Sequence, residues 1–245
     1  VYFDSKGYET LAEMLKPAHY SKIFILVDEN TSKYCLPLLL NNLVTEIEIE
    51  IIELEVGEIH KNIATCTEVW GALSDLGGDR KSILINLGGG VISDLGGFVA
   101  CTFKRGIDFI NIPTTLLSMV DASIGGKNGV DLGNLKNQIG IIREPKAVIV
   151  DTQFLSTLPQ NEMRSGLAEM LKHGLIFDKK YWDKFCIYIL QNLGLWNQGT
   201  NQNADPKEVF WSLPRMKELR CLLNWENTKI NNWNGKTEYM TLNCP

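Results

Sequence analysis

Four short apolar runs punctuate the first two thirds of the chain: Ile23 to Val27, Ile83 to Ile85, Ile107 to Ile112 and Ala147 to Val150. They are rich in β-branched residues and alternate with helix-like stretches, the rhythm of βα units, so they read as buried strands of a mostly parallel sheet. Between the first two, Glu46 to Val56 (EIEIEIIELEV) alternates charged and apolar positions. That predicts a strand with one solvated face and a slip of register at Ile51-Ile52. In RSGLAEMLKHG, Glu169, Lys172 and His173 stand at helical spacing i, i+3, i+4 and share one face. No apolar stretch approaches the ~20 residues that cross a bilayer. From Cys186 the periodicity fades: four of the six tryptophans and ten asparagines crowd a tail ending TLNCP, which places a boundary there and predicts no fold beyond it.

Composition narrows the function classes. With 44% hydrophobic and 22% charged residues the chain is of globular, soluble type, long enough for one large domain or two small ones. A formal charge of −5 argues against a broad nucleic-acid surface, because phosphate binding rests largely on net Lys and Arg, and leaves room for a small anionic substrate held by a few local cations. The opening VYFDSKGYETLAEML has neither a basic n-region nor a signal-length apolar run, so a cytoplasmic location is expected, without membrane partners. Val1 at the first position is what a missing initiator or a trimmed start would leave. Cys35, Cys66, Cys101, Cys186, Cys221 and Cys244 form no C-x-x-C pair and are expected as reduced, mostly buried thiols.

Candidate chemistry concentrates in the centre, where 14 of the 21 glycines fall between Gly71 and Gly140. KSILINLGGGVISDLGGFVA reads as strand, glycine turn and helix, with Gly88, Gly89 and Gly90 as a cradle whose backbone N–H groups and helix dipole suit a phosphate. Ser93 stands where a Rossmann fingerprint needs its third glycine, so the ordinary dinucleotide motif is not met, and a tight turn without ligand fits equally well. In IPTTLLSMVDASIGGKNGVD, Pro113 ends a strand and Thr114 and Thr115 present hydroxyls at its carboxyl edge. Asp121 and Lys127 flank Gly125-Gly126, and Lys136 and Asn137 follow Gly133; these are anion clamps or solvated loop charges. Arg105 offers a planar fork for a carboxylate or phosphate, or a surface cap. Glu169 with His173 is a helical pair able to reach a metal, but two ligands fall short of the three that catalytic zinc takes.

Taken together, GGGVISDLGGFVACTFKRG, PTTLLSMVDASIGGKNGVDLGNLKNQIG and RSGLAEMLKHG resemble, in order and spacing from about Asp28 to about Phe185, the three central signatures of the 3-dehydroquinate synthase family. The resemblance implies an α/β fold: a mostly parallel sheet NAD-binding domain over residues 1–158, the start of a helical metal and substrate domain over 159–185, and a truncated or aberrant part over 186–245. It implies that Asp28, Asn30, Glu58 and Lys61 hold the adenosine end of NAD, that Gly89, Gly90 and Asp94 lie along the pyrophosphate and nicotinamide ribose, and that Thr114, Thr115, Lys136, Phe154 and Thr157 complete the cofactor site. Arg105, Asp121, Lys127, Asn137 and Lys172 match positions facing the substrate, and Glu169 matches the metal-binding glutamate; His173 matches no ligand. The implied reaction is cyclisation of 3-deoxy-D-arabino-heptulosonate 7-phosphate to 3-dehydroquinate with loss of phosphate, in the shikimate pathway, using catalytic NAD and zinc or cobalt in a homodimer. NAD is reduced and regenerated within each turnover.

The family's two further metal ligands are histidines downstream of the glutamate. The three histidines here are His19, His60 and His173, none at those positions. Two explanations compete for the tail, a frameshifted or misassembled end of a normal gene and a natural variant that lost its metal half; the first is expected, and with it a chain of doubtful activity. The alternatives are a related sugar-phosphate cyclase, a metal-dependent polyol dehydrogenase, and a non-catalytic NAD-binding module.

Overall fold

The computed structural model describes residues 1–176 and 179–192, with side chains through Phe185, so most of the expected tail lies outside the described residues. Two compact units are present, Val1–Met170 and Leu171–Pro245. In the first, strands β1 (Tyr2–Phe3), β2 (Ile23–Asp28), β3 (Ile49–Leu54), β4 (Ile83–Gly88), β5 (Asp108–Pro113) and β8 (Ala147–Val150) form one parallel sheet in the order β1-β8-β5-β4-β2-β3. Strands β6 (Lys127–Leu132) and β7 (Leu135–Ile142) form a separate antiparallel hairpin. The helices are α1 (Asp4–Met14), α2 (Glu29–Tyr34), α3 (Leu36–Asn42), α4 (Ile63–Asp75), α5 (Gly90–Thr102), α6 (Gln160–Ile176) and α7 (Lys179–Asn192).

The four apolar runs become β2, β4, β5 and β8, and the expected mostly parallel α/β architecture is observed. The slip predicted at Ile51-Ile52 is absent, because β3 pairs with β2 in unbroken register from Ile23↔Ile49 to Asp28↔Leu54. A bulge would forfeit ladder hydrogen bonds. The strand instead keeps its ladder, buries Ile52 and Leu54 and leaves Ile51 44% exposed, a modest cost at the sheet edge.

Successive residues of the strands feed two cores, since side chains alternate between faces. Ile23, Ile25, Val27, Ile83, Ile85, Leu87, Ile110 and Ile112 pack with Leu11 and Leu15 near α1 and with Leu36 and Leu39 of α3. Phe24, Leu26, Leu84 and Phe109 pack on the other face with Cys66, Val69 and Leu73 of α4 and Leu95 and Val99 of α5. Each such side chain, fully buried, contributes about 1.5–3 kcal/mol. Cys35, Cys66 and Cys101 are buried free thiols, as expected of reduced cysteines.

Strand order fixes where a ligand can sit. From β2 the chain crosses to β3 on one side, and from β4 to β5 on the other, so the connections diverge between β2 and β4. Their helices lie on opposite faces of the sheet and leave a crevice at the carboxyl ends of the two strands, the switch point where open α/β sheets bind ligands. Asp28 ends one of these strands and Gly88 the other.

The β6–β7 hairpin packs on α5 and was not anticipated from sequence, although Gly133, at φ +58°, and Asn134 supply a turn between two apolar-alternating stretches. In the second unit, Gly174 lets Tyr181 and Trp182 of α7 approach α6, where a Cβ would sit 3.1 Å from Tyr181 Cδ1. No helix among the described residues is long and apolar enough to cross a membrane.

Candidate active site

The glycine turn delivers β4 into α5. Gly89 is the N-cap of α5 and no side chain caps the helix, so its first backbone N–H groups point into the crevice without a protein side-chain acceptor. Ser93 turns back to its own helix, Oγ donating to the carbonyls of Gly89 and Gly90 at 3.2 and 3.1 Å. The turn is also close to its surroundings: a Cβ on Gly89 would sit 3.1 Å from Thr115 Cγ2, and one on Gly90 3.4 Å from Ala122. A glycine pair here keeps open a slot that any side chain would narrow. An anion at this helix end is favoured by the dipole and the open N–H groups together.

Beside it lies a buried charge network. Lys61, 4% exposed, donates from Nζ to Asn137 Oδ1 at 2.7 Å and to Asp94 Oδ2 at 3.2 Å, with Glu58 Oε1 at 3.6 Å. Glu58 in turn receives Lys136 Nζ at 3.0 Å. The backbone assembles the network: Asp131 N–H bonds the Lys61 carbonyl at 2.9 Å, and the Asp131 carboxylate accepts the N–H of Asn137 at 2.7 Å, holding Asn137 at φ +52°. Burial raises the Asp94 carboxyl to about 6; Lys61 pulls it down, while Glu58 and Asp121 add to the rise. Asp94 is thus a carboxylate poised near neutrality. Asn137, expected on the substrate side, and Lys61, expected on the adenosine side, share one hydrogen bond.

A second group gathers around Cys35, which the sequence analysis did not single out. Burial pushes its thiol up to about 11; Asp28 adds to the rise, and hydroxyls of Thr114 and Thr157 bond the sulfur and oppose it. Asp28, Thr114 and Thr157 therefore converge at the carboxyl ends of β2 and β5. Asp28 Oδ1 caps α2 through the N–H of Thr31 at 2.8 Å, in a reciprocal capping box. Asn30 is exposed on the first turn of α2. Phe154 is 2% exposed and packs in the first core, beneath Thr157.

Between the two groups the chain forms a π-helical turn, Ser118–Ala122, presenting Asp121. One carboxylate oxygen of Asp121 lies within 4.8 Å of one from Glu169. The sequence reading gave a metal only Glu169; the fold adds Asp121. Two oxygens are the start of a divalent-cation site. His173 stands one turn beyond Glu169 on α6, and Lys172 is exposed on that helix.

Two expected residues lie elsewhere in the first unit. Arg105 precedes β5 and is exposed at the amino edge of the sheet, a strand length of roughly 20 Å from the glycine turn. There it lines a cavity of about 640 Å³ with Asp79, Arg80, Lys81 and Lys104. Lys127 opens β6 opposite Ile142, exposed, at the end of the hairpin away from Asn137.

Residues 51–165 match the family described as 3-dehydroquinate synthase N-terminal. The 3-dehydroquinate synthase of Parabacteroides distasonis is 39% identical over 221 residues, 89% of this chain and 62% of that protein. The chain thus spans less than two thirds of the length of this relative. Among solved structures, 2-epi-5-epi-valiolone synthase from Streptomyces hygroscopicus subsp. jinggangensis, with NAD+ and Zn2+ bound, is 26% identical with a TM-score of 0.65, covering 93% of this chain and 63% of that one. A 2-deoxy-scyllo-inosose synthase complexed with carbaglucose-6-phosphate, NAD+ and Co2+ is 25% identical with a TM-score of 0.65, covering 71% of this chain and 48% of that one.

Proposed function

Since the N-terminal and central part of the chain belongs to the 3-dehydroquinate synthase family, we propose that residues 1–158 bind NAD across the β2/β4 crevice and serve the phosphate-eliminating cyclisation of 3-deoxy-D-arabino-heptulosonate 7-phosphate to 3-dehydroquinate. The observation that carries this reading is the uncapped α5 N-terminus at the switch point, flanked by the buried Lys61–Asp94–Asn137 network. The residues fit the dinucleotide. The N–H groups after Gly89 would meet its pyrophosphate, Asp28 and Glu58 would supply carboxylates for ribose hydroxyls, and Gly89 and Gly90 leave room for the backbone-close approach a phosphate needs.

When bound, NAD supplies a hydride acceptor that oxidises a substrate hydroxyl and later returns the hydride. The chain's own part is positioning and charge. Lys61 and Lys136 hold Glu58 and Asp94 in place, and Asp94, at about 6, holds or releases a proton beside the slot. Asp121 and Glu169 are the oxygens that would bind a divalent ion, and residues 159–185 begin the domain that would complete its shell. Lys172 is the cation proposed to face the anionic sugar phosphate, in a homodimer, since Arg105 and Lys127 lie elsewhere in the first unit.

NAD titration of the full chain by calorimetry, followed by phosphate release with the heptulosonate phosphate and zinc or cobalt, tests the proposal. Saturable NAD binding and phosphate release support it. A chain that binds no NAD refutes it. A second reading is an NAD-binding module without turnover, and binding without phosphate release selects that one. Net NADH production selects a polyol dehydrogenase.

A further inference from the structure

Beneath the crevice, a chain of buried amides joins α5 to the turn that carries Asp121. Asn86 and Asn111 face each other across β4 and β5, 1% and 3% exposed, and Asn86 Nδ2 donates to Asn111 Oδ1 at 2.9 Å. Asn111 Nδ2 donates onward to the Ser123 carbonyl at 3.1 Å. Ser123 closes the π-helical turn twice, Oγ and N–H both donating to the Ser118 carbonyl, at 2.8 and 3.1 Å. π-helical turns are rare and gather at functional sites.

Both ends of this chain keep a buried oxygen without a hydrogen-bond partner, Asn86 Oδ1 and Ser118 Oγ. An arrangement with orphaned acceptors is not what stability alone would select, because apolar residues of the same shape would fill a core position between β-strands at no such cost. The helix above is shaped to receive it. A Cβ on Gly96 would run into the Asn86 amide, and one on the adjacent Gly97 into that of Asn128. Asn128, 6% exposed, donates to the carbonyls of Gly126 and Arg143 at 2.9 and 2.8 Å. Two neighbouring glycines of one helix thus seat two amides, and these tether the segment Ser118–Lys127 at both ends.

We propose that Asn86 and Asn111 are positioning residues: through Ser123 they fix the Ser118–Ala122 turn, and with it the Asp121 carboxylate, against the helix that carries Gly90 and Asp94. The functional meaning of this tether rests on the NAD-site reading above, while the tether itself is tested independently of it. The experiment is hydrogen–deuterium exchange on the full chain carrying both Asn86→Leu and Asn111→Leu, together with an NMR titration of Asp94 and an NAD titration.

The expected result is cooperative melting with exchange at 118–123 raised at least tenfold, exchange in β2 and α4 within twofold of the parent, and an Asp94 midpoint moved downward as the Asp121 charge drifts away. NAD affinity should fall 5- to 20-fold. Exchange that rises uniformly, or that stays unchanged at 118–123, overturns the proposal. Should the double variant fail to fold, Ser123→Ala decides: it removes only the hydroxyl bond to Ser118, and a severalfold rise confined to 118–123 supports the tether, whereas no local change overturns it. A parent chain that binds no NAD sinks the site reading and leaves the exchange and Asp94 results to judge the tether.

Discussion

The two edges of the sheet use their cations differently. At the carboxyl edge, Lys61 is 4% exposed and meets Asn137, Asp94 and Glu58, while Lys136 closes the set on Glu58. At the amino edge, Arg80, Lys81, Lys104 and Arg105 surround an open cavity with Asp79, all exposed. Lys104 and Arg105 there adopt left-handed backbone, at φ +48° and +74°. A buried, paired cation cannot leave its place without stranding a carboxylate, whereas an exposed one is screened by water and salt. The carboxyl edge is therefore preorganised for a ligand, and the amino edge holds loose positive charge. Counting charges along the sequence does not separate the two.

The largest effect that would break this contrast comes from Lys61→Met. Removing one member of a buried ion pair costs about 3–5 kcal/mol. Denaturant melts should show a loss of that order, and NAD affinity should fall at least 100-fold. A variant with parental stability and affinity would place Lys61 among ordinary surface lysines.

Gly89→Val comes next. Its Cβ alone would approach Thr115 to 3.1 Å and its branches further, so the slot narrows at the proposed phosphate position. NAD affinity is expected to drop at least tenfold while stability changes by about 1–2 kcal/mol. Calorimetric titration beside a thermal melt separates the two, and a large stability loss with intact binding would contradict the assignment.

Asp94→Asn sharpens the comparison through pH. Burial raises the folded carboxyl to about 6, above the ~3.9 of an ordinary aspartate, so between those values the folded chain binds more protons than the unfolded one. Stability attributable to this group is fully present below about pH 4 and declines as pH rises through 6, by on the order of 2–3 kcal/mol. The asparagine variant should lose that decline. Urea melts between pH 4 and 7 check it, and an identical slope in both proteins would assign the titration to another group.

The smallest effects belong to the amino edge. Lys104→Gly relieves a left-handed residue and should change stability by less than about 1 kcal/mol in the favourable direction. Arg105→Ala should leave NAD affinity within twofold. A larger change in NAD affinity for either would join the two edges functionally.

Much of this was legible in the sequence for a local reason. The runs at Ile23, Ile83, Ile107 and Ala147 are apolar because both faces of a central parallel strand are covered, and that requirement is written residue by residue. The glycine turn was legible because only glycine leaves the slot beside Thr115 open. Cys35, Asn86 and Asn111 were not. A buried cysteine or asparagine carries no pattern of its own, and its hydrogen-bond partners lie 12 to 122 positions away, as with Asn111 to Ser123 and Cys35 to Thr157. The slip expected at Ile51-Ile52 failed because edge exposure of one isoleucine is cheaper than a broken ladder, which depends on the neighbouring strand.

By itself, the sequence determined the class of fold, the strand–turn–helix that bares backbone N–H groups, and the family signatures. All of these depend on residues close together in the chain. The tertiary structure alone decided which charges meet. It set Lys61 against Asp94 and Asn137, brought Asp121 within reach of Glu169, and carried Arg105 to the opposite edge. Electrostatic interaction and desolvation act through space, and the order of strands in a sheet, not the spacing of residues along it, sets those distances.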